Sequence, residues 1–208
     1  MNKIMELVNI STSVSKLGVA IPTVNLPAGI TCRSNAPCKH DCYACKGNFR
    51  FANVQKSHIN NLNTYLSNPD VYFGMIDLRL QAVPYKYFRY HSSGDIVDMG
   101  YLEHMVIVAE KHTQTRFLCF TKKYELINKY LDSHKEFPEN LIIVLSNWGE
   151  FHCDNPYNLP TAWVRLRKFE TEIPENANKC SGFCGACVNT EASCWKLKKG
   201  ECVVFGQH

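Results

Sequence analysis

Eight of the eleven cysteines in this 208-residue chain fall in two groups that share a spacing. The first runs Cys32-x5-Cys38-x3-Cys42-x2-Cys45 and the second Cys180-x3-Cys184-x2-Cys187-x6-Cys194. Short intervals of this kind aim successive sulfurs at a common point, because the chain must turn tightly between them. Thiolates gathered in that way hold iron–sulfur clusters or zinc, so the chain is read first as a metalloprotein. Disulfides fit less well, because the cysteine count is odd. The opening MNKIMELVNISTS interrupts its apolar run with Glu6 and lacks the pattern of a secretory leader. A cytoplasmic location is expected, where clustered cysteines serve as metal ligands more often than as disulfides.

Within the first group, Cys38-x3-Cys42-x2-Cys45 resembles the cysteine loop of the radical S-adenosylmethionine (SAM) enzymes. That resemblance implies a [4Fe–4S] cluster on three thiolates, with the fourth iron open to SAM. Ala44 stands just before the third cysteine, where those enzymes commonly carry an aromatic residue, and Tyr43 lies one place earlier. Cys32 is close enough in sequence to supply a fourth thiolate, which would close the cluster and leave it an electron-transfer or structural role. A further option takes Cys32, Cys38 and Cys42 as ligands and leaves Cys45 spare. Lys39, Lys46 and Arg50 are cations available to offset thiolate charge, or plain solvated surface. Tetrahedral zinc is the alternative occupant.

Cys180, Cys184, Cys187 and Cys194 offer four thiolates, as a closed site requires. Gly182 and Gly185 permit the sharp turns and amide-to-sulfur hydrogen bonds found around clusters. An auxiliary [4Fe–4S] cluster and a zinc knuckle both fit, and ligands from the two groups could also mix. A structural metal here contributes on the order of 10 kcal/mol to folding. Cys119 lies inside a strand pattern and reads as a small buried hydrophobe. Cys153 and Cys202 are unassigned, and His208 is a terminal residue with a possible metal contact. Lys196, Lys198 and Lys199 form a basic run that reads as surface.

The segment His91-Ser92-Ser93-Gly94-Asp95 follows a strand pattern and precedes a helix, the position where parallel β/α folds assemble their sites. It resembles the Gly-Gly-Glu motif that holds the amino group of SAM, with Asp95 replacing the acid. His91, Ser93 and Asp95 are therefore the cofactor-binding candidates. A helix N-cap supplied by Asp95 or Asp98 accounts for the same residues. Thr121, Lys122 and Ser146-Asn147-Trp148 end later strands and would line the same mouth. Arg165 and Arg167 alternate on one strand face and suit either an anionic ligand or solvent.

The elements that must position these residues alternate in type. Strand patterns cover Leu7 to Ile10 and Val19 to Leu26. Helical periodicity follows through Phe51, Val54, Ile59, Leu62 and Leu66, then over Pro69 to Ala82 with Asn68 as cap. Next come strand Tyr85 to His91, a helix burying Leu102, Met105, Val106 and Ala109, strand Arg116 to Thr121, and a helix over Tyr124 to His134. Strands Leu141 to Asn147, Ala162 to Arg167 and Val203 to Phe205 complete the series. Alternation of this kind implies a parallel sheet. The expected fold is α/β, a partial (β/α) barrel resembling the radical SAM fold and so of TIM-barrel type, or else a doubly wound sheet. One domain is expected, with a core over 1–170 and a cysteine-rich segment over 171–208. The net charge of +4 is too mild to call for a nucleic-acid partner, and no apolar run approaches a membrane span.

The stretches NLPAGITC, CKHDCYACKGNFRF, FRYHSSGD, RFLCFTK and PENLIIVLSNW, with the closing C-x3-C-x2-C and terminal His, resemble the phage domain family named after gene product 88. The resemblance runs over nearly the whole chain. It implies a viral origin, with host cytoplasm as the location, and clustered metal ligands. It also implies that the positions of Cys32, Cys38 and Cys42 are typical ligands and that of Cys45 less so. Three readings follow. The first is a viral accessory iron–sulfur protein, the product of an auxiliary metabolic gene, with one or two clusters and a redox partner. The second is a radical SAM enzyme acting on a small-molecule substrate, and the third a zinc-bearing nucleic-acid binder.

Overall fold

The structure is a computed structural model that describes residues 7–12, 17–18, 21–148, 153–166 and 172–207. His208 and Arg167, both singled out above, lie outside the described residues.

Apolar residues in alternation build the strands, and their two-residue period sends successive side chains to opposite faces. In chain order the strands are β1 (Ile10–Ser11), β2 (Thr23–Val24), β3 (Tyr87–Tyr90), β4 (Arg116–Thr121), β5 (Leu141–Ser146), β6 (Thr161–Arg165), β7 (Asn178–Lys179) and β8 (Cys202–Gly206). They form one eight-stranded sheet in the order β1-β2-β3-β4-β5-β6-β8-β7. Among the described strands, the β1–β2 pair alone is antiparallel; the remaining pairs are parallel. The helices are α1 (Ala52–Ser67), α2 (Pro69–Ala82), α3 (Met99–Lys111), α4 (Tyr124–His134) and the single turn α5 (Cys184–Cys187).

Helix boundaries follow local chemistry. The Asn68 side chain accepts the Val71 amide proton at 3.0 Å, with Pro69 in the first turn of α2. Asp98, rather than Asp95, caps α3, accepting from the Tyr101 amide at 2.9 Å.

The sheet separates two cores. Phe88 and Tyr90, Phe117 and Cys119, and Leu141, Ile143 and Leu145 face α1 to α4, packing against Tyr72, Ile76, Leu102, Met105 and Ile127 among others. The alternate residues Tyr87, Leu118, Ile142, Val144, Ala162 and Val203 form the second core with Leu17, Ile21, Val188, Trp195 and Leu197. The four long helices therefore share one face of the sheet, and the cysteine-rich C-terminal segment covers the other. A doubly wound sheet would place helices on both faces, so the winding is one-sided.

The sheet does not close into a barrel, and what stands of the barrel expectation is the mixed α/β class. The two-residue edge strands β1 and β7 lie at opposite ends of the order. The face that closure would shield is already covered by the layer carrying Trp195 and Leu197. Among the described residues, no helix is long and apolar enough to cross a membrane.

Candidate metal centres

The first cysteine group lies on the loop between β2 and α1, where the chain turns repeatedly. Gly29, at φ +81°, donates its amide to Cys32 Sγ at 3.4 Å. Single 3-10 turns over Lys39–Asp41 and Tyr43–Cys45 carry the remaining ligand candidates. They are closed by bonds such as Asp41 N–H to Cys38 C=O at 3.1 Å and Cys45 N–H to Cys42 C=O at 3.0 Å. Two anchors hold this loop down. The Tyr43 hydroxyl donates to the Ser92 carbonyl at 2.6 Å, beyond the C-terminal end of β3. Arg33 pairs with Glu125 of α4 at 2.7 Å.

Members of this group influence one another electrostatically. Burial raises the Cys32 thiol above its ordinary value, and nearby Asp95, Cys42 and Cys38 push the same way. Cys42 is raised chiefly by burial, then by Cys45, while the Lys122 ammonium opposes the rise. Cys32 thus feels Cys38 and Cys42, and Cys42 feels Cys45.

Beneath the loop lies the turn that was expected to bind a cofactor. Asn25 Oδ1 accepts the amides of Ser92 at 2.7 Å and Ser93 at 3.2 Å. Ser93 Oγ donates to the Leu26 carbonyl at 3.0 Å. Asp95 is buried, and both its carboxylate oxygens are engaged by Thr121 Oγ1 at 2.6 Å, the Ile96 amide at 2.8 Å and the Lys122 amide at 3.0 Å. Burial nevertheless raises its pKa above the usual carboxylate value. His91 adopts φ +58° and turns toward the helix layer, with Nε2 3.0 Å from the Tyr101 hydroxyl and Nδ1 3.8 Å from Cys119 Sγ. Burial lowers its pKa to about 3, keeping it neutral. His91, Ser93 and Asp95 therefore sit at the expected edge, and each directs its side chain into protein hydrogen bonds.

Gly94 completes the turn at φ +82°. A Cβ there would come within 2.7 Å of Leu26 Cβ, the Leu26 carbonyl and Thr31 Oγ1. At the same edge Lys122 Nζ donates to Ser146 Oγ at 3.0 Å and lies 5.9 Å from the centre of the Trp148 indole.

The second cysteine group is held on the opposite face. Cys180 continues the β7–β8 pairing through its amide to the Val204 carbonyl at 3.0 Å. Gly182, at φ +86°, donates to Cys180 Sγ at 3.3 Å. The turn of α5 places Cys184 and Cys187 one helical turn apart, and the Ser193 hydroxyl caps the 3-10 turn that starts at Cys194. Trp195 packs on Tyr87 with ring centres 5.1 Å apart, and Arg116 donates to its carbonyl at 3.0 Å. Burial pushes the Cys194 thiol up to about 12, with Cys180, Cys184 and Cys187 adding to the rise and the Arg89 guanidinium opposing it. Cys194 is thus an electrostatic neighbour of Cys180, Cys184 and Cys187.

Cys119 belongs to the helix-side core, as its strand position implied. Cys153 lies near Tyr124, its thiol pushed up to about 11 by burial, and Cys202 is buried in β8. Lys196 of the basic run is paired with Glu191 at 2.7 Å. Arg89 and Tyr43 carried no expected role. The signal for Arg89 was a lone charge within the aromatic strand Tyr87–Tyr90.

All eleven cysteines are free of disulfides. Among the described residues, no three His, Cys, Asp or Glu side chains converge tightly enough, as placed, to hold a single metal ion. No curated protein and no solved structure matches this chain. The family model described as gene product 88 matches residues 5–164, a span that includes the first quartet and the His91–Asp95 turn and ends before the second quartet. The chain belongs to the phage gene product 88 family.

Proposed function

We propose that this protein is an iron–sulfur protein of phage, with one cluster on Cys32, Cys38, Cys42 and Cys45 and another on Cys180, Cys184, Cys187 and Cys194. The observation that carries the reading is that each group of four cysteines lies in one region of the fold, with Cys42 influenced by Cys45, Cys32 by Cys38 and Cys42, and Cys194 by Cys180, Cys184 and Cys187. Each group receives a glycine amide-to-sulfur bond, the kind of contact that orients and tunes thiolate ligands. The donor set fits, since four thiolates are the usual complement of such clusters. The burial that raises the Cys32, Cys42 and Cys194 thiols favours protonation in the metal-free chain, so loading the sites would release protons. The side chains must also rotate inward to close on a cluster.

When bound, such clusters supply one-electron transfer. The chain's own contribution is to seat one quartet at the C-terminal edge of the parallel strands and the other beneath a buried tryptophan. Four available thiolates per quartet leave no iron open, which favours redox or structural service.

A second reading, SAM binding at the first cluster, draws support from the one-sided winding and from the position of the Cys38–Cys45 loop after the first parallel strand. The engaged oxygens of Asp95 and the proximity of Cys32 weigh against it.

Protein purified without oxygen is expected to be brown, with a paramagnetic signal after reduction. A signal that changes on adding SAM, with release of deoxyadenosine, selects the second reading. A colourless protein carrying stoichiometric zinc refutes both.

A further inference from the structure

Arg89 lies on β3 between Phe88 and Tyr90, which both point to the helix-side core. Strand alternation therefore sends its side chain to the other face, together with Tyr87. There the guanidinium carbon sits 4.4 Å from the centre of the Phe120 ring. Arg89 Nε is buried without a hydrogen-bond partner. Among the described residues, no carboxylate lies within ion-pair distance of it. The face of one phenyl ring compensates only part of what a guanidinium loses on leaving water.

The surroundings form a recess. Phe120 belongs to β4 and Phe205 to β8, three strand spacings apart in the sheet order, or roughly 14 Å in a flat sheet. Their ring centres nevertheless stand 5.6 Å apart, with the planes at 66°. The sheet therefore curls toward this face. Gln207, just beyond β8, reaches the loop that follows β2, its side-chain amide donating to Asp41 Oδ2 at 3.4 Å. Arg89, Phe120 and Phe205 are each the penultimate residue of a parallel strand, at the edge where open α/β sheets gather their ligands. All three are partly exposed, so a small molecule can reach them.

The chemistry of the recess selects its occupant. A guanidinium fork presents parallel N–H groups that match the two oxygens of a carboxylate. One guanidinium balances one negative charge, and the flanking rings are apolar. A monoanion on an apolar body suits that combination, whereas a phosphate dianion would bring a second charge against phenyl walls. We infer that Arg89, Phe120 and Phe205 form a binding site for a small aromatic or apolar carboxylic acid, with Arg89 taking the carboxylate. The site is independent of what the cysteines hold.

The test dialyses the full chain, prepared without oxygen, to equilibrium against radiolabelled benzoate, acetate or inorganic phosphate. The parent is expected to bind about one equivalent of benzoate saturably, about tenfold more tightly than acetate or phosphate. Arg89→Gln and Arg89→Met, which remove the charge, should each weaken benzoate binding about tenfold or more. Arg89→Lys keeps the charge without the fork and should weaken it about threefold. Phe120→Leu keeps the charge without the ring and should weaken it about threefold to tenfold. Lys86→Met removes a charge at the other end of β3, near Tyr87, and leaves binding unchanged.

A parent that binds no benzoate saturably overturns the inference, as does one that prefers phosphate. Folded Arg89→Gln protein with the parent's affinity overturns it too, and so does an equal loss in Lys86→Met. Should neither neutral Arg89 variant fold, Phe120→Leu decides, its weakened binding supporting the site and parental affinity overturning it. Each overturning result leaves the iron–sulfur reading standing.

Discussion

Gly94→Ala probes the turn that joins the first quartet's loop to the sheet. Alanine must hold φ +82°, a left-handed conformation that costs a residue with a Cβ about 1–2 kcal/mol. The added methyl would meet Leu26 Cβ, the Leu26 carbonyl and Thr31 Oγ1 at 2.7 Å. Two of those atoms are backbone or Cβ, so relief requires the loop's first residues to move. Overpacking of this kind costs about 1–3 kcal/mol, giving a total of roughly 2–5 kcal/mol. For a chain of this length each kcal/mol lowers the melting temperature by about 2–4 °C, so a drop of roughly 4–20 °C is expected. Leu26 and Thr31 lead directly into Cys32, and Thr31 Oγ1 accepts the Asp95 amide at 3.0 Å. The damage should therefore reach the loop of the first cysteine group before that of the second. Gly74→Ala is the control, since a Cβ there meets nothing within 4 Å and alanine favours the helix by roughly 0.5–1 kcal/mol. Thermal melts of the three proteins in the same metal state decide the matter. A Gly94→Ala protein within about 0.5 kcal/mol of the parent would falsify the packing argument.

His91 should impose an acid limit. Its pKa is 6.5 in the unfolded chain and about 3 in the fold, so the unfolded state binds the extra proton as pH falls. The associated stability is complete above pH 6.5 and drains away toward pH 3, amounting to about 2 kcal/mol by pH 5. In urea titrations His91→Gln should show a shallower decline from pH 7.5 to 5, and parallel curves for the two proteins refute the assignment. Tyr43→Phe removes the bond to the Ser92 carbonyl and should cost about 0.5–1.5 kcal/mol. It should also speed iron loss to a chelator from the first quartet alone, and uniform loss from both would contradict the anchor. Trp195→Ala empties a buried site and should cost about 3–5 kcal/mol, releasing the second quartet's metal first. Unchanged metal retention by that variant would show that the tryptophan does not hold the layer.

Much of the scaffold was legible because periodicity is a local signal. The bounds of β4 and α4 match the expected Arg116 to Thr121 and Tyr124 to His134, since an apolar strand run and an amphipathic helix follow one another without ambiguity. β7 was not legible. Asn178–Lys179 is polar and two residues long, and it is a strand only because β8 lies alongside it. The barrel expectation outran its signal, because strand count and alternation do not encode closure, and closure is decided by what covers the second face. The cysteine spacing put the ligand candidates in two groups, each of which lies in one region of the fold. For His91, Ser93 and Asp95, residue type could not distinguish a polar group that builds a turn from one that meets a ligand. Their placed partners are Tyr101, Leu26 and Thr121. Arg89 went unread because a single arginine in a strand is ordinarily solvated at an edge, whereas β3 lies between β2 and β4.

The central claim is that two cysteine quartets each hold an iron–sulfur cluster. It is tested most directly by anaerobic quantification of iron, acid-labile sulfide and zinc in the parent chain and in two variants, Cys38→Ala/Cys42→Ala and Cys184→Ala/Cys187→Ala. Two four-iron clusters predict about eight iron and eight sulfide per parent chain, about half of each in either variant, and little zinc. Negligible iron and sulfide in all three oxygen-free preparations would contradict the account.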